Sequence, residues 1–563
     1  MKLYEQLLKI LEQCGVDHIY GVPGDAINPL VEAMREQDAI RFIHVTHEEA
    51  GALAASAEAK LTGNLAVCAG TVGPGAIHLL NGLYDAHKDY APVLAITGQI
   101  PSSEIGSSYH QEVDLHNLFH DVALYSTTVS NPEQMPRVAL EACNTSLSQH
   151  GVSVLHIPHD IGSKKVPEVR SFSVDSSPRS RILPEEGRIN EAIRQIEDAE
   201  NVAILAGNGC RNARDELMQL ADHLKSPIIY SLKAKDIVPH DSPYCAGGLG
   251  LLGARGGVEA VKECDLLVAA GTDFPYREWY PEEAPVIRIN IKGAAVGRRT
   301  PGDYGLIGDC KSVFSELLDR LKERTDTSYL KKVQKARDRW QEGLNYTSDI
   351  SRDSEVIHPQ AAARAISELA DDDAVFSCDT GEVTVWAARH LRPTGNQRMI
   401  FSFNLASMAF AMPGAIGSQL AFPDRQIISL SGDGGFNMLM GDFLTAVKYN
   451  LPIKVFIFNN RKLGLIKMEQ EVEGYPESET DLLNPDYELL AQSFGAEGAS
   501  VKDPAELKQS IREALEHDGP YLLDIHINSD ELTIPPKIKL EQAWGFGLSK
   551  IKEMLSSGAN PET

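Results

Sequence analysis

Short, largely apolar runs recur along this chain, at 65–70, 202–206, 265–270, 427–431 and 453–458, and 41–45 reads as a further strand. Stretches with apolar residues at helical spacing separate them. A run without polar alternation predicts a strand buried on both faces, as in parallel sheets covered by helices. The pattern therefore predicts an α/β protein built of doubly wound parallel sheets. The start, Met1-Lys2-Leu3-Tyr4-Glu5, opens an amphipathic helix. Two stretches break the alternation. Residues 161–186 carry Pro167, Pro178 and Pro184, with Ser176, Ser177 and Arg179 beside the middle one, and read as a linker. Residues 325–358 are charged and helical, and lead into Ile357-His358-Pro359. The predicted units are 1–180, 185–335 and 355–530, followed by a tail at 531–563.

An internal echo links the first and third units. The run Leu65-Ala66-Val67-Cys68-Ala69-Gly70 is followed by Thr71-Val72-Gly73-Pro74-Gly75 and a helix, and Ile427-Ile428-Ser429-Leu430-Ser431-Gly432 by Asp433-Gly434-Gly435. Two related domains would produce this, and so would chance similarity between strand–loop–helix units.

Composition narrows the classes. At 563 residues the chain suits three or four domains. Its formal net charge of −26 repels nucleic acid and anionic lipid, so nucleic-acid binding is not expected. The eight cysteines form no C-x-x-C pair and no zinc spacing, and they suit a reducing compartment. The N-terminus lacks the apolar core of a signal peptide, and no apolar run is long enough to span a bilayer. The expected location is cytoplasmic, with contact at the inner face of the membrane left open.

The sharpest chemical signal is Gly432-Asp433-Gly434-Gly435, with Asn459-Asn460 closing the next buried run. Two adjacent parallel strands would deliver Asp433 and Asn460 to the same carboxyl edge, where ligands bind. Glycines there let backbone N–H groups approach an anion, and a following helix presents its positive end. A carboxylate and an amide oxygen are hard ligands suited to Mg²⁺ bridged to phosphate. The plainer alternative is a glycine-rich turn with a helix-capping Asp.

Gly432-Asp433-Gly434 through Asn460 resembles the signature of thiamine-diphosphate enzymes. The resemblance implies Mg²⁺ held by Asp433, Asn460 and the carbonyl of Lys462, with Gly381, Gly434 and Gly435 near the diphosphate. It also implies that Ala406, Ser407 and Met408 meet the cofactor rings, Met408 as an apolar wedge, and that Leu463, Gly464, Leu465 and Ile466 line the cofactor. Without the resemblance, Met408 reads as a core methionine.

Thiamine chemistry needs a carboxylic acid against the aminopyrimidine ring, and burial favours the protonated form of such an acid. In Thr46-His47-Glu48-Glu49-Ala50, Thr46 and Glu49 have capping-box spacing, which accounts for Glu49. The family's His-Glu-Glu pattern puts the activating acid at Glu48; the alternative is a surface glutamate favoured by the helix dipole.

Within the family, Gly73-Pro74-Gly75, His78, Asn81-Gly82-Leu83 and Gln111-Glu112 resemble the pyruvate oxidase and acetohydroxyacid synthase group. Stretches such as Trp386-Ala387-Ala388-Arg389 and Ile534-Pro535-Pro536-Lys537 bring it nearest to the quinone-linked, acetate-forming oxidases. The three units are then a pyrimidine-binding, a central FAD-binding and a diphosphate-binding domain. Gly250, Leu251, Leu252 and Thr272, Asp273, Phe274, Pro275 and Tyr276 would line the flavin. Asn290 stands where the family often has an acid for the ribose. Two aromatics of the family are replaced, by His110 and Leu465; His110 is a substrate contact or a plain loop histidine. Synthases place Trp-Gln where this chain has Glu469-Gln470, which favours the oxidase. The implied catalytic set is Glu48, His78, Gln111 and Glu469. The implied reaction is decarboxylation of pyruvate or a similar small 2-oxo acid, oxidation by FAD, electron transfer to a quinone and release of acetate. Alternatives are a phosphate-dependent oxidase making acetyl phosphate, an acetolactate synthase with structural FAD, and an inactive paralogue serving as a scaffold. Relatives complete the site between subunits, which implies a homodimer or homotetramer. The tail stripe Trp544, Leu548, Ile551 and Leu555 reads as a helix packed on its own domain rather than on lipid.

Overall fold

All five apolar runs form strands, and so does 41–44. The structure, a computed structural model, describes residues 1–166, 181–353 and 355–531, together with Pro536 and Ser549. Most of the linker and the tail stripe lie outside the described residues. Ser549 itself is buried and donates from its hydroxyl to the carbonyl of Tyr475 (2.7 Å).

The first sheet contains β1 (His18–Gly21), β2 (Arg41–His44), β3 (Ala66–Gly70), β4 (Val93–Gln99), β5 (Ala123–Thr128) and β6 (Val152–Pro158). The second contains β7 (Val202–Ala206), β8 (Ile228–Tyr230), β9 (Cys245–Gly248), β10 (Leu266–Ala270), β11 (Val286–Asn290) and β12 (Tyr304–Ile307). The third contains β13 (Val375–Cys378), β14 (Arg398–Phe401), β15 (Ile427–Gly432), β16 (Lys454–Asn459), β17 (Glu497–Val501) and β18 (Tyr521–His526). Their orders are β2-β1-β3-β4-β6-β5, β12-β11-β10-β7-β8-β9 and β14-β13-β15-β16-β18-β17. Every named pairing is parallel, as between β3 and β4 or β15 and β16. The first and third orders are the same, and β3 and β15 hold the same place in them, which gives the sequence echo its structural meaning. In both sheets the winding reverses beside that strand, and such a reversal opens a crevice at the carboxyl ends.

The helix Glu48–Thr62 explains its own composition. It is Ala-rich because it packs at backbone distance, and its main partner is the helix Ala411–Ala421 of the third unit. One apolar core runs through both, from Ala52 and Ala55 to Ala415 and Ile416. A Cβ added to Gly417 would lie 2.2 Å from the carbonyl oxygen of Ala54, a contact that backbone cannot relieve by rotating. Gly417→Val is therefore expected to lower stability by about 3 kcal/mol or to prevent folding, as chemical denaturation would measure; an unchanged midpoint would contradict this packing.

An ion network joins all three units. The Lys60 ammonium contacts Asp85 (2.6 Å) and Asp89 (2.7 Å), and that of Lys233 contacts Asp89 (2.9 Å) and Asp273 (2.8 Å). Asn404 donates its amide to Asp273 (2.7 Å).

Candidate active site

The crevice beside β15 receives the loop that the sequence singled out. Asp433 is buried at the start of the helix Asp433–Leu439. Its Oδ1 accepts from Gly434 N (3.0 Å) and its Oδ2 from Arg461 N (2.7 Å) and Asn484 Nδ2 (2.7 Å). Burial pushes its carboxyl above the usual range, against the pull of these hydrogen bonds. Asn460 follows β16; its Oδ1 accepts from Lys462 N (3.0 Å), and its Nδ2 donates to Glu382 Oε2 (3.0 Å). The turn between them is held from outside: Leu463 N donates to Thr480 O and Leu482 N to Arg461 O, each at 2.8 Å. Arg461 pays for this placement with a left-handed backbone (φ 57°), as do Ala406 (59°) and Ala409 (62°) on either side of Ser407 and Met408.

These residues fit a divalent cation on a diphosphate. Asp433, Asn460 and the Lys462 carbonyl come from one corner and are hard oxygen donors. Across the crevice, Gly381 has φ 147° and nothing within 4 Å of where a Cβ would stand, so bare backbone faces the space. Gly464 is required differently: a Cβ there would lie 2.1 Å from Glu382 Oε2. Met408 is half-buried rather than locked in a core, and its Cε would be 3.4 Å from a Cβ on Gly434.

The other half of the site lies on the first sheet. Glu48 opens the helix Glu48–Thr62 with its side chain buried, and its Oε2 meets His78 Nδ1 at 2.9 Å. The rings of His47 and His78 stack with centroids 4.4 Å apart. Gln111 has a left-handed backbone (φ 63°) and lies against Gly73, within 3.1 Å of where its Cβ would be. The capping-box expectation is corrected here. His47 is the N-cap, its Nδ1 accepting from Glu49 N (3.2 Å). Thr46 instead gives both its N–H (2.9 Å) and its hydroxyl (2.7 Å) to Asp442, a buried carboxylate of the third unit that outcompetes a local cap. Glu49 Oε1 accepts from Asn81 Nδ2 (2.7 Å), which also donates to Ser407 (2.8 Å).

At the carboxyl edge of the central sheet, the large side chains of Leu251 and Tyr276 are exposed, while Thr272 and Phe274 are buried. Gly250 has φ 94° and approaches the Phe274 ring. An apolar ledge with backbone at a strand edge suits a planar aromatic ring system such as a flavin. Asp273 lies on this edge, but its carboxylate is committed to Lys233 and Asn404. Asn290 Oδ1 accepts from Lys292 N (2.9 Å), closing its own turn.

Three family profiles cover the three sheets: thiamine pyrophosphate enzyme, N-terminal TPP binding domain over 1–118, central domain over 189–317, and C-terminal TPP binding domain over 379–525. The Bacillus subtilis (strain 168) protein YdaP, which bears thiamine pyrophosphate in its name, is 40% identical over 98% of this chain and 96% of its own length. This chain belongs to the thiamine pyrophosphate enzymes. Among other members of that family, the pyruvate oxidase of Lactiplantibacillus plantarum is 32% identical over 95% of this chain and 90% of its own length. A protein of Methanocaldococcus jannaschii named as a probable acetolactate synthase large subunit is 31% identical over 95% and 94%. This thiamine pyrophosphate enzyme thus stands in the pyruvate oxidase and acetolactate synthase group.

Sequence reasoning missed the amides behind the Asp433 corner. Asn484 also donates to Asn459 (2.9 Å) and accepts from Asn437 (2.9 Å), which in turn accepts from Tyr487 OH (2.8 Å). Glu382 was missed too; burial pushes its carboxyl up to about 7. Neither has a local signature, since each is recruited across the fold. Glu469 lies exposed on the helix Gly464–Glu473, one turn beyond Leu465 and the exposed Ile466. Among the described residues, no hydrogen bond or ion pair joins Glu469 or the Asp433 corner to Glu48.

Proposed function

We propose that this enzyme oxidatively decarboxylates pyruvate, or a similarly small 2-oxo acid, to acetate, using thiamine diphosphate, Mg²⁺ and FAD with a quinone as electron acceptor. The observation that carries the reading is Glu469, on the outward face of the helix leaving the metal corner. Synthases of this group have tryptophan there, and a carboxylate cannot form the same apolar wall for a second oxo acid. Bound thiamine diphosphate would supply a nucleophilic carbon and an electron sink, and FAD a two-electron acceptor.

The chain's own residues take defined parts. Asp433, Asn460 and the Lys462 carbonyl hold the metal, and Gly381, Gly434 and Gly435 let the diphosphate approach. Met408 and Leu463 shape the apolar floor. Glu48, oriented by His78, would serve as the activating acid toward the aminopyrimidine ring. Gln111 and Glu469 offer polar contacts to the substrate, and Leu251 and Tyr276 cover the flavin. By resemblance to relatives that complete their site between subunits, the reading includes at least a homodimer.

Anaerobic mixing with pyruvate is expected to bleach the FAD absorbance within the turnover time, and a quinone to restore it faster than oxygen, with no need for phosphate. A flavin that stays oxidised while acetolactate accumulates would overturn the oxidase reading. The synthase relatives, as similar as the oxidase, favour that second reading. Reduction that requires phosphate and yields acetyl phosphate would keep the class and change the product.

A further inference from the structure

Glu48 is held from two sides. Its Oε1 lies 3.0 Å from where a Cβ on Gly75 would stand, and its Oε2 meets His78 Nδ1 at 2.9 Å. The first neighbour is backbone and cannot turn away. The second is a ring whose side chain is 41% exposed, on the last residue of the five-residue helix Pro74–His78. A side chain so open to water samples several rotamers unless a neighbour confines it. That neighbour is His47. Its ring lies across the His78 ring, with centroids 4.4 Å apart and planes 26° from parallel. One nitrogen of each ring and a carboxylate oxygen of Glu48 all lie within 4.8 Å of one another.

His47 is itself fixed. It is the N-cap of the helix that Glu48 opens, with extended backbone (φ −144°, ψ 138°), and its Nδ1 accepts from Glu49 N (3.2 Å). Thr46, just before it, gives two hydrogen bonds to Asp442 of the third unit. Because the cap uses Nδ1, it sets the rotation of the His47 ring and so the face turned toward His78. Capping alone does not call for a ring here. Asn, Asp and Ser are the favoured caps, and any of them would serve the N–H of Glu49. What histidine adds at this position is an aromatic face.

A hydrogen bond to an imidazole nitrogen is directional, so the His78 ring must keep its plane for Nδ1 to reach Glu48. Stacking holds that plane. We propose that His47 is a positioning residue for the activating acid, acting through His78: its ring sets the plane in which His78 Nδ1 meets Glu48. The inference rests on the assignment of Glu48 as that acid.

Two substitutions separate the stack from the cap. His47→Asn keeps a capping oxygen and removes the ring, and His47→Phe keeps a ring and removes the cap. In the full chain with thiamine diphosphate and Mg²⁺, His47→Asn is expected to slow C2-proton exchange about tenfold, the worth of an aromatic pair. Its melting temperature and its cofactor affinity by calorimetry are expected to match the parent. His47→Phe is expected to melt lower and to exchange within about twofold of the parent. In the His78→Gln background, His47→Asn is expected to slow exchange no further, because the effect passes through that ring. Without cofactor, NMR of histidine-labelled chain is expected to show the His78 ring signal displaced by His47→Asn, which removes the ring current of its neighbour. Glu48→Gln separates the two ways of failing. If it slows exchange and His47→Asn does not, the proposal is overturned and Glu48 keeps its role. If Glu48→Gln leaves exchange normal, the acid lies elsewhere and the positioning role falls with it. Equal slowing by His47→Asn and His47→Phe, or slowing by His47→Asn that survives in full without the His78 ring, overturns the proposal as well.

Discussion

Asp433→Ala is expected to abolish Mg²⁺-dependent binding of thiamine diphosphate and to leave the protein folded. Asp433 is the charged member of the proposed ligand set, and Asn460 and a carbonyl cannot replace its charge toward a hard cation. Losing a buried charged partner costs about 4 kcal/mol, roughly a thousandfold in affinity. The substitution also strands Arg461 N and Asn484 Nδ2, which now donate to Asp433 Oδ2. Each stranded donor costs about 1–3 kcal/mol, and the damage stays in a loop at the sheet edge, outside the cores that hold the three units together. Calorimetry with and without Mg²⁺ decides the matter, together with circular dichroism as a check on folding. Unchanged cofactor affinity in a folded variant would show that the metal lies elsewhere.

Glu48→Gln is expected to bind the cofactor normally and to slow exchange of its C2 proton by about 10²–10⁴-fold, the usual reach of general acid–base catalysis. Gln keeps the size and one acceptor oxygen, so the contact with His78 survives, while the ionisable proton is lost. The neighbouring Glu49→Gln is the control. Its carboxylate accepts from Asn81 rather than closing a capping box, and a Gln oxygen can still accept. The control should cost at most about 1 kcal/mol of stability and leave exchange near normal. Equal losses of exchange in the two variants would sink the assignment of the acid to Glu48.

The correction at Thr46 shows where local reading stops. Its spacing to Glu49 satisfies the capping-box rule, and within an isolated helix that would be the low-energy arrangement. In the folded protein Asp442, 396 residues away, presents a buried carboxylate that must be satisfied, and Thr46 satisfies it with two hydrogen bonds. His47 then takes over the cap. The Asp433 corner was legible for the opposite reason: Asp433 and Asn460 each sit at the end of an apolar run, and adjacent parallel strands bring such ends to one edge.

By itself, the sequence determined the parallel-sheet architecture, the strand ends that carry Asp433 and Asn460, and the membership of the thiamine pyrophosphate family. These depend on period, on strand ends and on short motifs, all written within a few residues. Only the tertiary structure decided that Glu48 meets His78, that Asn484 braces Asp433 and Glu382 braces Asn460, and that Asp273 at the edge of the central sheet joins an ion network with Lys233. Each of these depends on which side chains distant in sequence share a desolvated space, and there an unmatched charge or hydrogen bond outweighs any local preference.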